Sequence, residues 1–316
     1  MLQTLGVRAA AATTVPAALE LPPAADLATL AVGLVAVSTS GPLIAATAAP
    51  ALAIAFWRNG FAAVILAPLT LLRHRAELTS LTGRERRLAV GAGLLLAIHF
   101  ATWVPSVTLT TVASATALVS TQPIWAALLA RRAGAVFPSR VWLGIAVAVV
   151  GAAVVTGADV ATSLRALTGD VLAVLGGAAA AGYMVAGSEV RQRVSTVTYT
   201  TVCYTTTALA LLACCLVGRQ SLSGYPADAW LRLAALTLGA QFLGHSLFNR
   251  VLRTTSPTVL ALAILLEVPG ASLLAAAFLG QRPNWYAVPG LLILLAGIGV
   301  VVTARERVAV PSLPVE

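Results

Sequence analysis

Residues 256 to 280 read SPTVLALAILLEVPGASLLAAAFLG, an apolar run long enough to cross a bilayer that carries one carboxylate, Glu267, near its middle. An ionised side chain at the centre of a membrane helix costs about 2.5–3.5 kcal/mol on insertion scales, so such groups face a protein interior or polar cavity and mark substrate or proton paths. Glu267 is therefore the leading candidate for a titrating group; a neutral or hydrogen-bonded interhelical acid is the competing reading. Arg58 sits one to two turns inside another apolar run, ALAIAFWRNG, beside Trp57, Asn59 and Gly60. It can snorkel to the membrane interface, anchor a substrate carboxylate or pair with a buried acid.

Other polar groups fall at helical spacings within apolar runs. His99 and Trp103 are four apart and share a face, and so do Gln241, His245 and Asn249 at successive steps of four. Three polar side chains in line favour a cavity or bundle interior over lipid. A solitary intramembrane histidine is also common as a hydrogen-bonded packing residue. Trp57, Trp103 and Tyr183 can form aromatic wall against a substrate, with membrane-interface placement as the alternative. Gln122 follows Ser120 and Thr121 and leads into Pro123. Pro123 and Pro269, lacking a backbone donor, are candidate hinges.

These positions contain no HExxH helix and no serine in a nucleophile-elbow context. Cys203, Cys214 and Cys215 share one apolar segment without zinc spacing and read as small buried hydrophobes. Neither an enzyme activity nor a cofactor or metal is expected.

The elements that must position these groups follow from composition. The chain has 316 residues, 59% of them hydrophobic and only 10% charged, far from the balance of soluble domains. The expected class is an all-α integral membrane protein with ten transmembrane helices, each crossing roughly 30 Å of hydrocarbon. The spans fall at about 26–47, 51–72, 88–107, 110–130, 141–157, 170–188, 197–217, 229–249, 256–280 and 285–303. The polar cluster Ser38, Thr39, Ser40, Gly41 and Pro42 lies within the first span and suggests either close helix packing or an opened helix beside a cavity.

The net charge of +9 comes from 20 arginines and no lysine, spread through short connections. This pattern is a topology signal rather than a nucleic-acid surface. With the N-terminus inside, 15 arginines face the cytosol and 4 the other side, which favours both termini in the cytosol. The most charged connection, 73–87, is cytosolic on this reading. Residues 1–25 and 305–316 are read as cytosolic tails.

A shift of 146 residues lays one half of the chain on the other. His99 meets His245, Thr108 meets Thr254, Pro123 meets Pro269, Gly144 meets Gly290 and Gly151 meets Gly297; Thr121 meets Glu267. Two repeats of five spans, 26–158 and 168–304, must enter the membrane in opposite orientations. Two inverted five-helix repeats with a site between them near the midplane are the architecture of many secondary transporters.

The repeated pattern TLTTVASATALVSTQPIWAALLA then WLGIAVAVVGAAVVTG, and LRTTSPTVLALAILLEVPGASLLAAAFLG then YAVPGLLILLAGIGVVV, resembles the EamA-type transporters of the drug/metabolite transporter superfamily. The resemblance covers about residues 26 to 304 and matches Glu267, Pro269 and Arg58. A Gly-Glu pair that many family repeats carry after the fourth span reads Ala133, Gly134 and Gly280, Gln281 here. The resemblance implies a ten-helix transporter of a small metabolite, such as an amino acid or drug-like compound, in the plasma membrane or bacterial inner membrane. Expected partners are that substrate, a coupling proton and the bilayer, with no nucleic acid, in a monomer or homodimer. Alternating access, with export as the expected direction, is the leading mechanism. An uncoupled facilitator, or a membrane sensor or scaffold, is the alternative.

Overall fold

The computed structural model describes residues 24–132, 134, 136–160, 163–251, 264–282 and 284–305. The N-terminal tail to residue 23, residues 252–263 and the C-terminal tail from 306 lie outside the described residues. They take with them Thr254 and the first part of the run around Glu267.

No strand occurs among the described residues. Helices α1 (Ala24–Ser38) and α2 (Ser40–Ala46) are followed by α3 (Ala51–Arg73), α4 (Arg75–Ser80), α5 (Gly83–Leu109), α6 (Val112–Val119), α7 (Gln122–Arg132) and α8 (Ser139–Val160). Then come α9 (Leu164–Val190), α10 (Thr196–Val217), α11 (Ala227–Ala235), a π-helix (Leu236–His245) and α12 (Ser246–Val251). The described chain ends with α13 (Glu267–Leu279), a 3₁₀ turn (Trp285–Ala287) and α14 (Val288–Arg305). Lipid cannot satisfy backbone groups, so each apolar run closes its own hydrogen bonds as helix. Polar residues set the starts. Thr82 and Glu85 form a reciprocal capping box on α5, with Glu85 N donating to Thr82 Oγ1 at 3.2 Å and Thr82 N donating to Glu85 Oε2 at 2.9 Å.

Eight helices are long and apolar enough to cross a membrane, counting α1–α2 and α6–α7 as one each. The two remaining expected spans differ for physical reasons. The eighth is divided by the π-helix, whose wider hydrogen-bond ring interrupts the α ladder. Of the ninth, Ile264 and Leu265 are helical, Leu266 is a turn and Glu267–Leu279 forms a short apolar helix. The first span does open at its polar cluster: Thr39 is a turn between α1 and α2, and its hydroxyl donates to Ala36 O at 2.7 Å. Cys203 and Cys215 are buried as expected of small hydrophobes, whereas Cys214 is exposed.

Pro123 and Pro269 lie at the starts of half-helices, whereas Pro68 and Pro105 lie inside α3 and α5. Ser120 and Thr121 form a turn before α7, and Leu266 forms a turn before α13. Pro123 and Pro269 thus occupy first turns, where a missing N–H leaves no intrahelical bond unmade.

Helices α5 and α9 pack along their lengths, as do α8 and α14, while α10 lies on α3 and α5. Helix α1 packs on the π-helix, α12 and α13, and α6 meets α9 and α13. The α8–α14 seam is backbone on backbone. A Cβ added at Gly144 would lie 2.8 Å from Val301 N and 2.9 Å from Gly297 O, and one at Gly290 would lie 2.7 Å from Val155 N and 2.9 Å from Gly151 O. Residue numbers rise along one helix as they fall along the other, so the pair runs antiparallel.

This seam leaves no room for a side chain. Gly151→Val is expected to destabilise the protein by about 1–3 kcal/mol or more, the usual cost of overpacking. Gly157→Ala, in the same helix with nothing within 4 Å of the new methyl, should be neutral or slightly stabilising. Thermal unfolding in detergent micelles compares the two; equal effects would contradict the close approach.

Candidate substrate site

Arg58 lies two turns inside α3 and is only 1% exposed. The snorkelling alternative is therefore excluded: the guanidinium turns into the bundle. Its Nε donates to Gln241 Oε1 at 2.7 Å and its Nη1 to Ser40 Oγ at 3.1 Å. Its central carbon stands 4.5 Å from the centroid of the Phe100 ring, a cation–π contact. Gln241 Nε2 reaches Asn59 Oδ1 at 3.4 Å, and Asn59 Nδ2 donates to Ala55 O at 2.8 Å. Side chains from α2, α3, α5 and the π-helix thus meet around one buried cation.

Glu267 enters as the first residue of α13, half-buried. A helix N-terminus presents unpaired N–H groups and the positive end of the dipole, which favours a carboxylate there. The Tyr204 hydroxyl and Glu267 both act electrostatically on the guanidinium. Among the described residues no carboxylate approaches Arg58 within 4.0 Å. A fully excluded cation held by neutral partners, with an acid nearby but not in contact, is suited to receiving a further anionic group.

His99 lies within electrostatic range of Arg58 as well. Its Nδ1 is 3.0 Å from Gly176 O on α9, and since a carbonyl only accepts, Nδ1 carries a hydrogen. The ring stacks on Trp103 at 5.7 Å between centroids and 13° between planes. Trp103 is 5% exposed, and its Nε1 has no hydrogen-bond partner among the described residues. That burial removes Trp103 from the membrane-interface alternative.

The other expected site residues are placed differently. Trp57 donates to Leu222 O at 3.0 Å and joins Phe56, Phe61 and Trp230 in an aromatic cluster at the α10–α11 connection. It closes that end of the bundle rather than lining the Arg58 group. Tyr183 on α9 is grouped with Tyr199, Cys203 and Tyr204 of α10. Gln122 opens α7 beside Thr121, whose Oγ1 donates to Leu118 O at 2.7 Å and accepts from Trp125 Nε1 at 3.2 Å. The side chains of His245 and Asn249 lie outside the described part. Phe100 has no signal of its own in the sequence beyond its place one residue after His99. Ser40 and Asn59 stand in polar clusters that the sequence does show.

A second polar cluster joins α4 to the start of α10. Glu77 accepts from Ser195 N at 2.6 Å, from Ser195 Oγ at 2.5 Å and from Thr198 Oγ1 at 2.5 Å, with His74 Nδ1 3.5 Å away. Arg84 and Glu189 form an ion pair at 2.5 Å. Partial burial pushes the Glu77 carboxyl up, but the Ser195 and Thr198 hydrogen bonds and His74 outweigh it and hold the group below its ordinary value of 4.5. A depressed carboxylate contributes stability that is present above the unfolded value and lost as pH falls through the folded one. Glu77→Gln is expected to lower stability at pH 7 by on the order of 1–2 kcal/mol, a difference that shrinks in acid below the carboxylate range. Denaturation curves at pH 7 and below pH 4 test this; a difference independent of pH would exclude the ionised contact.

Among the described residues, no group of three or more His, Cys, Asp or Glu side chains is placed to hold a metal. The family model of the EamA-like transporter family matches residues 24–157 and again 167–303. The chain belongs to the EamA-like transporter family. It is accordingly an integral membrane protein of a family that transports small molecules. No curated protein matches it significantly in sequence. A crystal structure described only as that of a protein aligns with 90% of this chain and 99% of its own, at a TM-score of 0.61 and 16% identity. This likeness shows a shared fold alone.

Proposed function

We propose that this EamA-like protein is a secondary transporter that moves a small metabolite across the plasma membrane by alternating access between two inverted repeats, 26–158 and 168–304, with export as its direction. The observation that carries the reading is the reciprocity of the glycine seam. Gly144 and Gly151 correspond to Gly290 and Gly297 at the shift of 146; Gly144 meets Gly297, and Gly151 meets Gly290. Reciprocal contacts of this kind are expected of a two-fold interface, and the antiparallel course of α8 and α14 supports an axis in the membrane plane. The packing agrees: α5 on α9 has its counterpart in the π-helix on α1, and α6 meets α13 directly.

Arg58 stands in a polar segment of α3 and Glu267 just after the turn at Leu266, segments of the kind that hold substrate at the midplane in such transporters. Symmetry supplies two related conformations, one open to each side. Both termini lie in the cytosol on this reading, and Glu267 couples proton movement to transport. The test is flux in proteoliposomes of purified protein with oriented insertion, using a panel of radiolabelled amino acids and other metabolites. Saturable exchange of any substrate supports the transporter, and its dependence on insertion side and pH gradient decides direction and coupling. Protein that binds a metabolite yet never exchanges it would contradict the proposal.

A further inference from the structure

The polar groups around Arg58 are unequal in kind. Nε and Nη1 of Arg58 are engaged by Gln241 and Ser40, which accounts for two of the five N–H groups of a guanidinium. One turn along α5 from Phe100, Trp103 Nε1 is a donor with no partner among the described residues, in a side chain 5% exposed. Its ring centroid is 6.5 Å from that of Phe100, on whose face the guanidinium lies. The groups left to a ligand here are the Trp103 N–H and the guanidinium N–H groups beyond those two bonds, all donors, so the ligand must bring acceptors.

We infer that the substrate of this site is a monocarboxylate with an apolar or aromatic body, its carboxylate bound by Arg58 and by the Trp103 indole N–H. The inference rests on the transport reading above and names the substrate class of that same site. A carboxylate matches the planar fork of a guanidinium, two oxygens to two N–H groups. Charge limits the choice further. With Glu267 protonated, Arg58 is a single buried cation among neutral partners, and the His99 Nδ1 that faces Gly176 O donates to a backbone carbonyl. A phosphate dianion would leave a second negative charge uncompensated in a low-dielectric interior, whereas a carboxylate is matched one to one. The remaining wall is ring: Phe100 and the stacked His99 and Trp103.

The probes are 3-phenylpropionate, its neutral isostere 3-phenylpropionamide, phenylphosphate and phenethylamine. Each is titrated against purified full-length protein by thermal shift and by tryptophan fluorescence, then offered in proteoliposome counterflow. The expected result is that the carboxylate binds about 10-fold or more tightly than the amide, the phosphate or the amine. Trp103→Phe, which keeps the ring and loses the donor, should weaken carboxylate binding several-fold. Wild-type protein alone supplies the probe comparison, so the test does not depend on a variant folding. Binding of the amide or amine at least equal to that of the carboxylate overturns the inference, as does preference for the phosphate or no response to the carboxylate. Counterflow of a non-carboxylate probe would overturn the substrate class and leave the transport reading standing. Carboxylate binding without any exchange would do the reverse.

Discussion

In proteoliposomes, Glu267→Gln protein is expected to take up substrate no faster than protein-free liposomes when only a pH gradient drives uptake, while downhill exchange continues. Glutamine preserves the size and one oxygen of the side chain but has no exchangeable proton in the physiological range. The position is the first residue of α13, half-buried and electrostatically coupled to the enclosed Arg58. Protonation there changes the charge facing Arg58 by a full unit in a region of low dielectric, where such changes are worth far more than in water. A conformational equilibrium that depends on this charge can be driven by a proton gradient only through a titrating group. Unchanged uptake with unchanged pH dependence removes Glu267 from coupling. Wild-type protein that never moves substrate uphill identifies a facilitator instead.

The second large effect is expected at Arg58. Arg58→Met should abolish carrier-mediated exchange yet leave thermal stability nearly intact. Two opposing terms decide this. The variant loses charge-assisted hydrogen bonds to Gln241 and Ser40 and the contact with Phe100, each hydrogen bond being worth about 1.5–3 kcal/mol. It also recovers the desolvation cost of a fully buried ion, several kcal/mol. The terms largely cancel, and an apolar side chain of similar length fills the space. No such compensation exists for an anionic ligand, which loses two charge-assisted bonds; about 3 kcal/mol at the low end corresponds to roughly 100-fold weaker binding. Arg58→Lys keeps the charge but not the fork and should fall between. Flux and melting temperature measured on the same preparations check the claim. Flux at the wild-type level with Met at position 58 would make the residue structural only.

Much of the arrangement is legible in one dimension because membrane physics is local. A run of apolar residues must be helical in lipid, so most spans follow from hydropathy. The cluster Ser38–Pro42 marks where the first span opens, at Thr39, although the sequence equally allowed close helix packing there. The repeat shift of 146 carries the turn at 120–121 onto the turn at 266 and onto Glu267 itself. The π-helix is not legible, because it changes hydrogen-bond register without changing hydropathy. The Glu77 cluster joins residues 118 and 121 apart in sequence, and nothing in either segment names the other.

Arg58 shows the division most clearly. Its presence inside an apolar helix, its residue type and its cost in lipid are properties of the sequence, as are the carboxylate of Glu267 and the prolines at the two breaks. Three readings of the arginine remained open on that basis: an interface anchor, an acid's partner or a ligand's. Tertiary structure removed the first by closing the bundle over it, and supplied Gln241 from 183 residues away and the Phe100 ring. It also kept the nearest acid beyond ion-pair contact. Which face of a helix meets lipid, and which neutral groups meet a charge, depend on packing between segments, and hydropathy along a single chain carries no record of either.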